Sequence, residues 1–473
     1  MSRLVGIATA GAGGVLLALL LWAPMNHDVA GILHIARRML AGEALYVDIA
    51  DVNPPLAFLL GLPPVWLADL LGMSPRLGWA GAVLAAWAWA VLGAARLLRG
   101  RPEVGAVVLA GALLLGPGAA GMLGQREHLF LLLAFPWIAA RAAGVPAEGR
   151  LAVAAALLAG LGGALKPPFL VVLLAVEAVA LLREGPRRWI RLPGPWPLVA
   201  GPAAHALAVV LAFPAYLTDA LPWLLGPYQA MGRLGPWEML AVAPWGFWAA
   251  LGLALAGIAA APRRSAPWVV AGLTALGGLL LQGKGWSYHW LPALLLLAAA
   301  GAAAAPRPAL ALACVLPLLS LHERASWPPA AMAEPYRAVA EALAAERAPV
   351  VILSPLVFPF HPALLEGRVA DRTPAMTGWP AQAALACPGS PGDPALAEWF
   401  RTRLADRLRR GEVGAIYVDT VPLRPCPGAP TFGAWLRTDP VLSPLVAGFV
   451  HVETRWRIEV WRPRGLPAGL SAP

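Results

Sequence analysis

The sequence predicts a polytopic α-helical membrane protein followed by a soluble α/β domain, and three observations predict it. Of 473 residues, 59% are hydrophobic and 13% charged, with a mean hydropathy of +0.66; soluble domains carry about a quarter charged residues. The charges are uneven, because residues 1–321 hold 12 acidic and 20 basic side chains while residues 322–473 hold the other 14 and 16. Arginine clusters then punctuate the apolar stretches at regular intervals. The net charge of +10 is therefore read as the positive-inside rule at work rather than as an affinity for nucleic acid.

The elements follow in order from those arginines. The first apolar run, Leu4 to Pro24, is about the length of one bilayer crossing and lacks a small-residue cleavage site before the polar NHD, so it reads as an uncleaved first span. Assigning the clusters at Arg96, Arg99 and Arg101, at Arg141 and Arg150, at Arg183 to Arg191, at Arg263 and Arg264, and at Arg307 to the cytoplasm sets the remaining spans. They fall near 78–98, 104–123, 128–143, 151–166, 168–183, 197–214, 241–261, 267–282, 290–305 and 307–321, about 11 transmembrane helices in all, with the amino terminus inside and the tail outside. The apolar segment Pro54 to Gly72 contains Pro63, Pro64 and Asp69 and is read as a juxtamembrane or re-entrant helix within an external loop, 25–77. A twelfth span with inverted downstream topology is the alternative.

This arrangement divides the chain into a transmembrane domain, 1–321, and an external α/β domain, 322–473. In the latter, helical patterns at Tyr336–Glu346 and Ala395–Arg410 precede the strand-like runs VVILS and AIYVD, and HVETRWRIEVWRP alternates as a hairpin does. Cys387 and Cys426 lie in this domain and are candidates for a disulfide if it faces an oxidising compartment; Cys314 sits in an apolar span.

The external connections collect the unusual residues. Asp28 follows the first span and either caps the amphipathic stretch VAGILHIARRML or serves as a general base. Asp48, Asp51 and Asn53 form either a polar turn before Pro54 and Pro55 or a carboxylate cluster that contacts a sugar or, with Asp28, holds a hard divalent cation. GQREH brings Arg126, Glu127 and His128 to the edge of a span, as snorkelling groups or as a second acid with an anion ligand. Only two lysines occur among 36 basic residues, Lys166 in GGALKPP and Lys284 in QGKGWSYHW, the latter beside Tyr288 and His289. A lone ammonium costs at least about 2.5 kcal/mol within the bilayer, so each needs an anionic partner or water. Trp286 and Trp290 suit interfacial anchoring as well as stacking on a sugar.

Together these pieces resemble the membrane glycosyltransferases of the GT-C superfamily, which includes the protein O-mannosyltransferases and the lipid A aminoarabinose transferases. The resemblance lies in an acid just after span one (Asp28), in AGEALYVDIADVNPPLAFLLG at 41–61, in Glu127 of GQREH and in GGALKPP. Two departures are visible: NHD stands where an adjacent acidic pair is frequent, and NPP replaces KPP in the first loop. The resemblance implies a polyprenyl-phosphate-linked sugar as donor and a glycan, lipid or protein acceptor outside the cytoplasm. It implies Asp28 and Glu127 as the acids of the site, with Arg126, Lys166, Lys284 and His289 around the leaving phosphate. It also implies a multi-pass protein of the bacterial inner membrane with a periplasmic tail, matching the GC-rich Ala, Gly and Arg bias. No nucleotide-binding glycine motif occurs. A ligase using a lipid diphosphate carrier, a flippase for a lipid-linked saccharide and an inactive assembly protein are the competing readings; against transport, the sequence shows no inverted repeat.

Overall fold

The computed structural model describes residues 3–305, 314, 317, 330–384, 392–423 and 428–464. They form two compact units, the first drawn from 1–26, 76–210 and 233–327 and the second from 27–75, 211–232 and 328–473. The segments 27–75 and 211–232 thus group with the carboxy-terminal residues rather than with their neighbours in sequence.

The first eight helices are α1 (Arg3–Trp22), α2 (His27–Leu40), α3 (Leu56–Leu70), α4 (Pro75–Leu97), α5 (Val104–Leu114), α6 (Arg126–Ala142), α7 (Gly149–Ala164) and α8 (Pro167–Glu184). Further apolar helices run over Pro195–Ala212, Trp245–Ala260, Pro262–Gln282 and Leu291–Ala304. Among the described residues, five helical stretches are long and apolar enough to cross a membrane, beginning at Arg3, Pro75, Pro195, Pro262 and Ser287, and α3, α5, α7 and Trp245–Ala260 are shorter apolar helices. The chain is a multi-pass membrane protein; of the segments read as spans, 307–321 lies outside the described residues apart from Cys314 and Pro317.

Close helix approach in the first unit depends on small residues, as expected where lipid supplies no hydrophobic driving force. A Cβ on Gly160 of α7 would lie 2.3 Å from the Leu198 carbonyl oxygen, so the helix Pro195–Ala212 packs there only because that side chain is missing. At the ends of α6 and α8 the buried Arg141 donates to both Glu177 and Glu184, at 3.0 Å and 2.8 Å. That pairing satisfies a cation between helices that could not otherwise be buried.

In the second unit a four-stranded sheet has the order β1 (Val350–Leu353), β2 (Ala415–Asp419), β4 (Ile458–Pro463), β3 (Phe449–Arg455). β1 and β2 pair in parallel, Val350 opposite Ala415, and the β3–β4 hairpin completes the sheet antiparallel. β1 and β2 are buried throughout, which is why they read as continuous apolar runs, while β3 is intermediate to exposed along its length. The crossover helix Pro394–Arg409 starts where sequence rules place it: the Asp393 carboxylate accepts from the Leu396 amide and Pro394 occupies the first turn. Helix Ala330–Ala344 and Phe360–Gly367 contribute Leu343, Phe360 and Leu364 to a core with Val350, Tyr417 and Val460. Cys387 and Cys426 lie outside the described residues.

Candidate functional site

Three residues that the sequence placed in separate connections come together in the first unit. The Lys166 ammonium donates to Glu127 Oε1 at 3.0 Å and to His289 Nε2 at 3.1 Å, and His289 Nε2 lies 3.8 Å from the same carboxylate oxygen. Local structure aims each of them. Gln125 is extended, so α6 opens at Arg126 and puts Glu127 in its first turn, where the helix dipole favours a carboxylate. Lys166 precedes two prolines, which exclude the helical region for it; it is extended (φ −160°, ψ 130°) and caps α8 instead of entering it. His289 sits in the short 3-10 turn Ser287–Trp290.

The cluster is almost dry, with side-chain exposures of 15% for Lys166, 1% for Glu127 and 3% for His289. An ammonium can only donate, so His289 Nε2 must be the acceptor and the proton of the neutral ring sits on Nδ1. Among the described residues neither that Nδ1 nor Glu127 Oε2 has a hydrogen-bond partner. One buried donor and one buried acceptor are therefore available for something else to meet.

Lys284 approaches from the connection quoted in the sequence as QGKGWSYHW. Gly283 (φ +61°) ends the helix Pro262–Gln282 in the left-handed region, and Gly285 (φ +63°) repeats that conformation one residue after Lys284. The turn is pinned by the Leu234 amide, which donates to the Gly283 carbonyl at 2.7 Å. Burial and the nearby Arg233 charge pull the Lys284 ammonium down to about 8. Arg126 and Lys284 both act electrostatically on His289. Tyr288 stands edge-on to the His289 ring at 4.5 Å, with Trp286 5.3 Å from it on another side.

Next to this polar group is an apolar recess. Glu127, His289 and Gln282 line it together with the apolar side chains of Pro168, Phe169, Val172, Ala275, Leu279 and Pro292. Sequence reading missed these wall residues, since apolar side chains in apolar helices carry no signal of their own. Gln282, the last residue of its helix, was legible as a polar group bordering Lys284.

His128 is fully buried beside the cluster in sequence but takes part in backbone pairing: its Nδ1 accepts from the Gly124 amide at 3.0 Å and its Nε2 donates to the Leu115 carbonyl at 2.8 Å. Asp28, Asp48, Asp51 and Asn53 belong to the second unit. Asp28 occupies the first turn of α2, its carboxylate 3.6 Å from His27 Nε2. The Asp48 carboxylate accepts from the Ala44 amide at 2.8 Å and the buried Asp51 accepts from the Asn53 amide at 2.7 Å, so both close turns of their own loop. Tyr46 belongs to the same loop and holds φ +69°, its hydroxyl donating to the Asn53 carbonyl, with Phe213 and Tyr216 against its ring. No three His, Cys, Asp or Glu side chains among the described residues converge as metal ligands.

No family model and no curated protein matches this chain. Among solved structures, it is similar to ArnT from Cupriavidus metallidurans in the apo state, with 15% identity over 99% of each chain and a TM-score of 0.48. It is likewise similar to ArnT from the same organism bound to undecaprenyl phosphate, with 16% identity over 97% of each chain and a TM-score of 0.46.

Proposed function

We propose that the chain is a membrane glycosyltransferase that moves a sugar from a polyprenyl-phosphate donor to an acceptor outside the cytoplasm. The observation that carries this reading is the polar cluster of Glu127, Lys166 and His289, of which Glu127 and His289 also line an apolar recess, with Arg126 and Lys284 acting on it. A lipid phosphate has that polarity: an anionic head that needs donors and a tail that needs apolar walls. The Lys166 ammonium, Lys284, Arg126 and the Nδ1–H of His289 are the donors, and the Glu127 carboxylate fixes Lys166 and keeps the resting cluster neutral.

In the reaction, the acceptor oxygen attacks the anomeric carbon and its hydroxyl proton passes to a carboxylate, for which Asp28 is the candidate. The bond between the anomeric carbon and the phosphate oxygen breaks, the polyprenyl phosphate leaves with the electron pair, and the configuration inverts. Charge grows on the departing phosphate, so donors fixed before the reaction stabilise the transition state more than the ground state. Glu127 is the second acid of the site, and Asp48, Asp51, Asn53 and Tyr288 are assigned to binding the sugar or the acceptor. The carboxylates of Asp28, Asp48 and Asp51 do not converge as a cation site among the described residues, and no step depends on a divalent cation. The protein lies in the bacterial inner membrane with the second unit in the periplasm.

The test is transfer of radiolabelled sugar from a panel of polyprenyl-phosphate donors into membranes carrying the wild type, Asp28→Asn or Lys166→Met at equal expression. Transfer by the wild type alone supports the reading. Equal transfer by Asp28→Asn removes that residue from the chemistry, and no transfer from any monophosphate donor, with transfer from a diphosphate carrier, makes the protein a ligase.

A further inference from the structure

We infer that Arg407, on the crossover helix of the carboxy-terminal domain, is a positioning residue that sets the conformation of the loop carrying Asp48, Asp51 and Asn53. This rests on the transferase reading for the loop's role in the reaction, though not for the contact itself. Arg407 Nη2 donates to the Asp48 backbone carbonyl at 3.1 Å and to Glu43 Oε2 at 2.8 Å, bridging the start and the middle of the loop. Glu43 is the hub. Its Oε2 also accepts from Arg38 Nη2 of α2 at 2.6 Å, and its Oε1 accepts from Arg38 Nε and from Arg372 Nη1, at 3.1 Å and 3.4 Å.

One carboxylate held by three guanidinium groups is more than solvation requires. Burial pushes the Glu43 carboxyl up, and Arg38 and Arg407 outweigh it and hold the group below the usual carboxylate range. The excess positive charge is balanced by two further carboxylates: Asp371, whose Oδ2 accepts from Arg38 at 3.4 Å and lies 3.2 Å from His34 Nε2, and Glu412, whose Oε2 lies 3.8 Å from Arg372 Nε. The loop is further tied to this domain by the Ala50 amide, which donates to the Pro374 carbonyl at 2.7 Å.

The geometry separates two kinds of constraint. Asp48 and Asp51 close turns within the loop, which fixes their shape but not their placement. Arg407 and the Ala50–Pro374 bond are contacts of the domain with the loop backbone, and of these only Arg407 is a side chain that can be changed. Both bonds leave one terminal nitrogen, Nη2, whose two N–H groups are fixed in the guanidinium plane; a lysine ammonium carries the charge on a shorter, freely rotating head and recovers part of the arrangement.

The experiment measures hydrogen exchange of peptides covering 44–53 and 415–419 in the full-length protein, in wild type, Arg407→Ala, Arg407→Lys and Glu43→Gln, alongside kcat and KM for sugar transfer. The expectation for Arg407→Ala is exchange about tenfold faster in 44–53 with 415–419 unchanged, and partial recovery in Arg407→Lys. Transfer should lose about tenfold or more in kcat while KM for the lipid donor stays within about twofold, because the donor's phosphate site is made of other residues. Unchanged exchange in 44–53 overturns the inference whatever the activity. If Arg407→Ala exposes 415–419 as well, Glu43→Gln decides: loop-confined exchange supports the inference and native exchange overturns it. If exchange rises in the loop alone but no variant, wild type included, transfers sugar, the clamp stands and the transferase reading falls.

Discussion

The Glu127–Lys166 pair should show strong energetic coupling, and the structure sets its size. Glu127→Gln keeps the shape and one acceptor but leaves the Lys166 ammonium without its counter-charge, beside His289. A lone ammonium costs at least about 2.5 kcal/mol in a bilayer, and breaking a buried pair costs about 3–5 kcal/mol. The 15% exposure of Lys166 lets water take up part of the loss, so about 2–3 kcal/mol is expected. Lys166→Met leaves the Glu127 carboxylate, 1% exposed, unpaired and should cost about as much, limited by protonation of the carboxyl. The double variant removes both charges and should cost only about 1 kcal/mol, giving a coupling energy of about 3 kcal/mol or more. The assay is a double-mutant cycle from equilibrium unfolding in mixed detergent. Additivity of the single changes within about 0.5 kcal/mol would refute the reasoning, because it would mean that the two charges are solvated independently. The double variant should be folded and inactive, since it lacks a donor for the lipid phosphate.

Lys284 predicts a pH limit. Its ammonium titrates near 8 in the folded protein against an ordinary 10.5, so the folded state binds fewer protons than the unfolded one between those values and stability rises with pH across that window. Donor affinity should move the opposite way, falling by up to tenfold per pH unit above about 8 as the charge is lost; Lys284→Arg should flatten the profile, and a wild-type affinity constant to pH 9.5 would exclude Lys284 from anion binding. Gly285→Ala should weaken donor binding and cost about 1–2 kcal/mol, since the left-handed backbone is strained for alanine and its Cβ would stand 2.8 Å from Leu234 Cδ1; thermal unfolding and donor titration check both. Asp371→Asn leaves Arg38 without one of its two carboxylates in a site where Asp371 is 3% exposed, and should destabilise the second unit by about 3 kcal/mol, measured by exchange of β1 and β2.

What could be read from sequence and what could not divide along a physical line. Helix ends were legible because arginines, prolines and glycines act locally: Pro167 and Pro168 expel Lys166 from α8, and Gly283 stops its helix, whatever the rest of the chain does. The same holds for VVILS and AIYVD, whose unbroken apolar character says that both faces are covered. Rarity pointed to the cluster: in a chain with two lysines, an ammonium beside apolar runs needs an anionic partner or water, and the structure gives Lys166 the Glu127 carboxylate. By contrast, nothing in AGEALYVD marks Glu43 as more than a loop acid, because its partners Arg372 and Arg407 lie 329 and 364 residues away. His128 shows the same limit from the other side. Its place in GQREH gave it the appearance of a ligand, yet its two ring nitrogens serve the Gly124 amide and the Leu115 carbonyl, groups left over where α5 ends and α6 has not begun. Sequence reports which groups must be satisfied, and in a membrane that obligation is strict; the partner that satisfies them is a property of the fold, which is why the charge cluster was foreseeable and the Arg407 clamp was not.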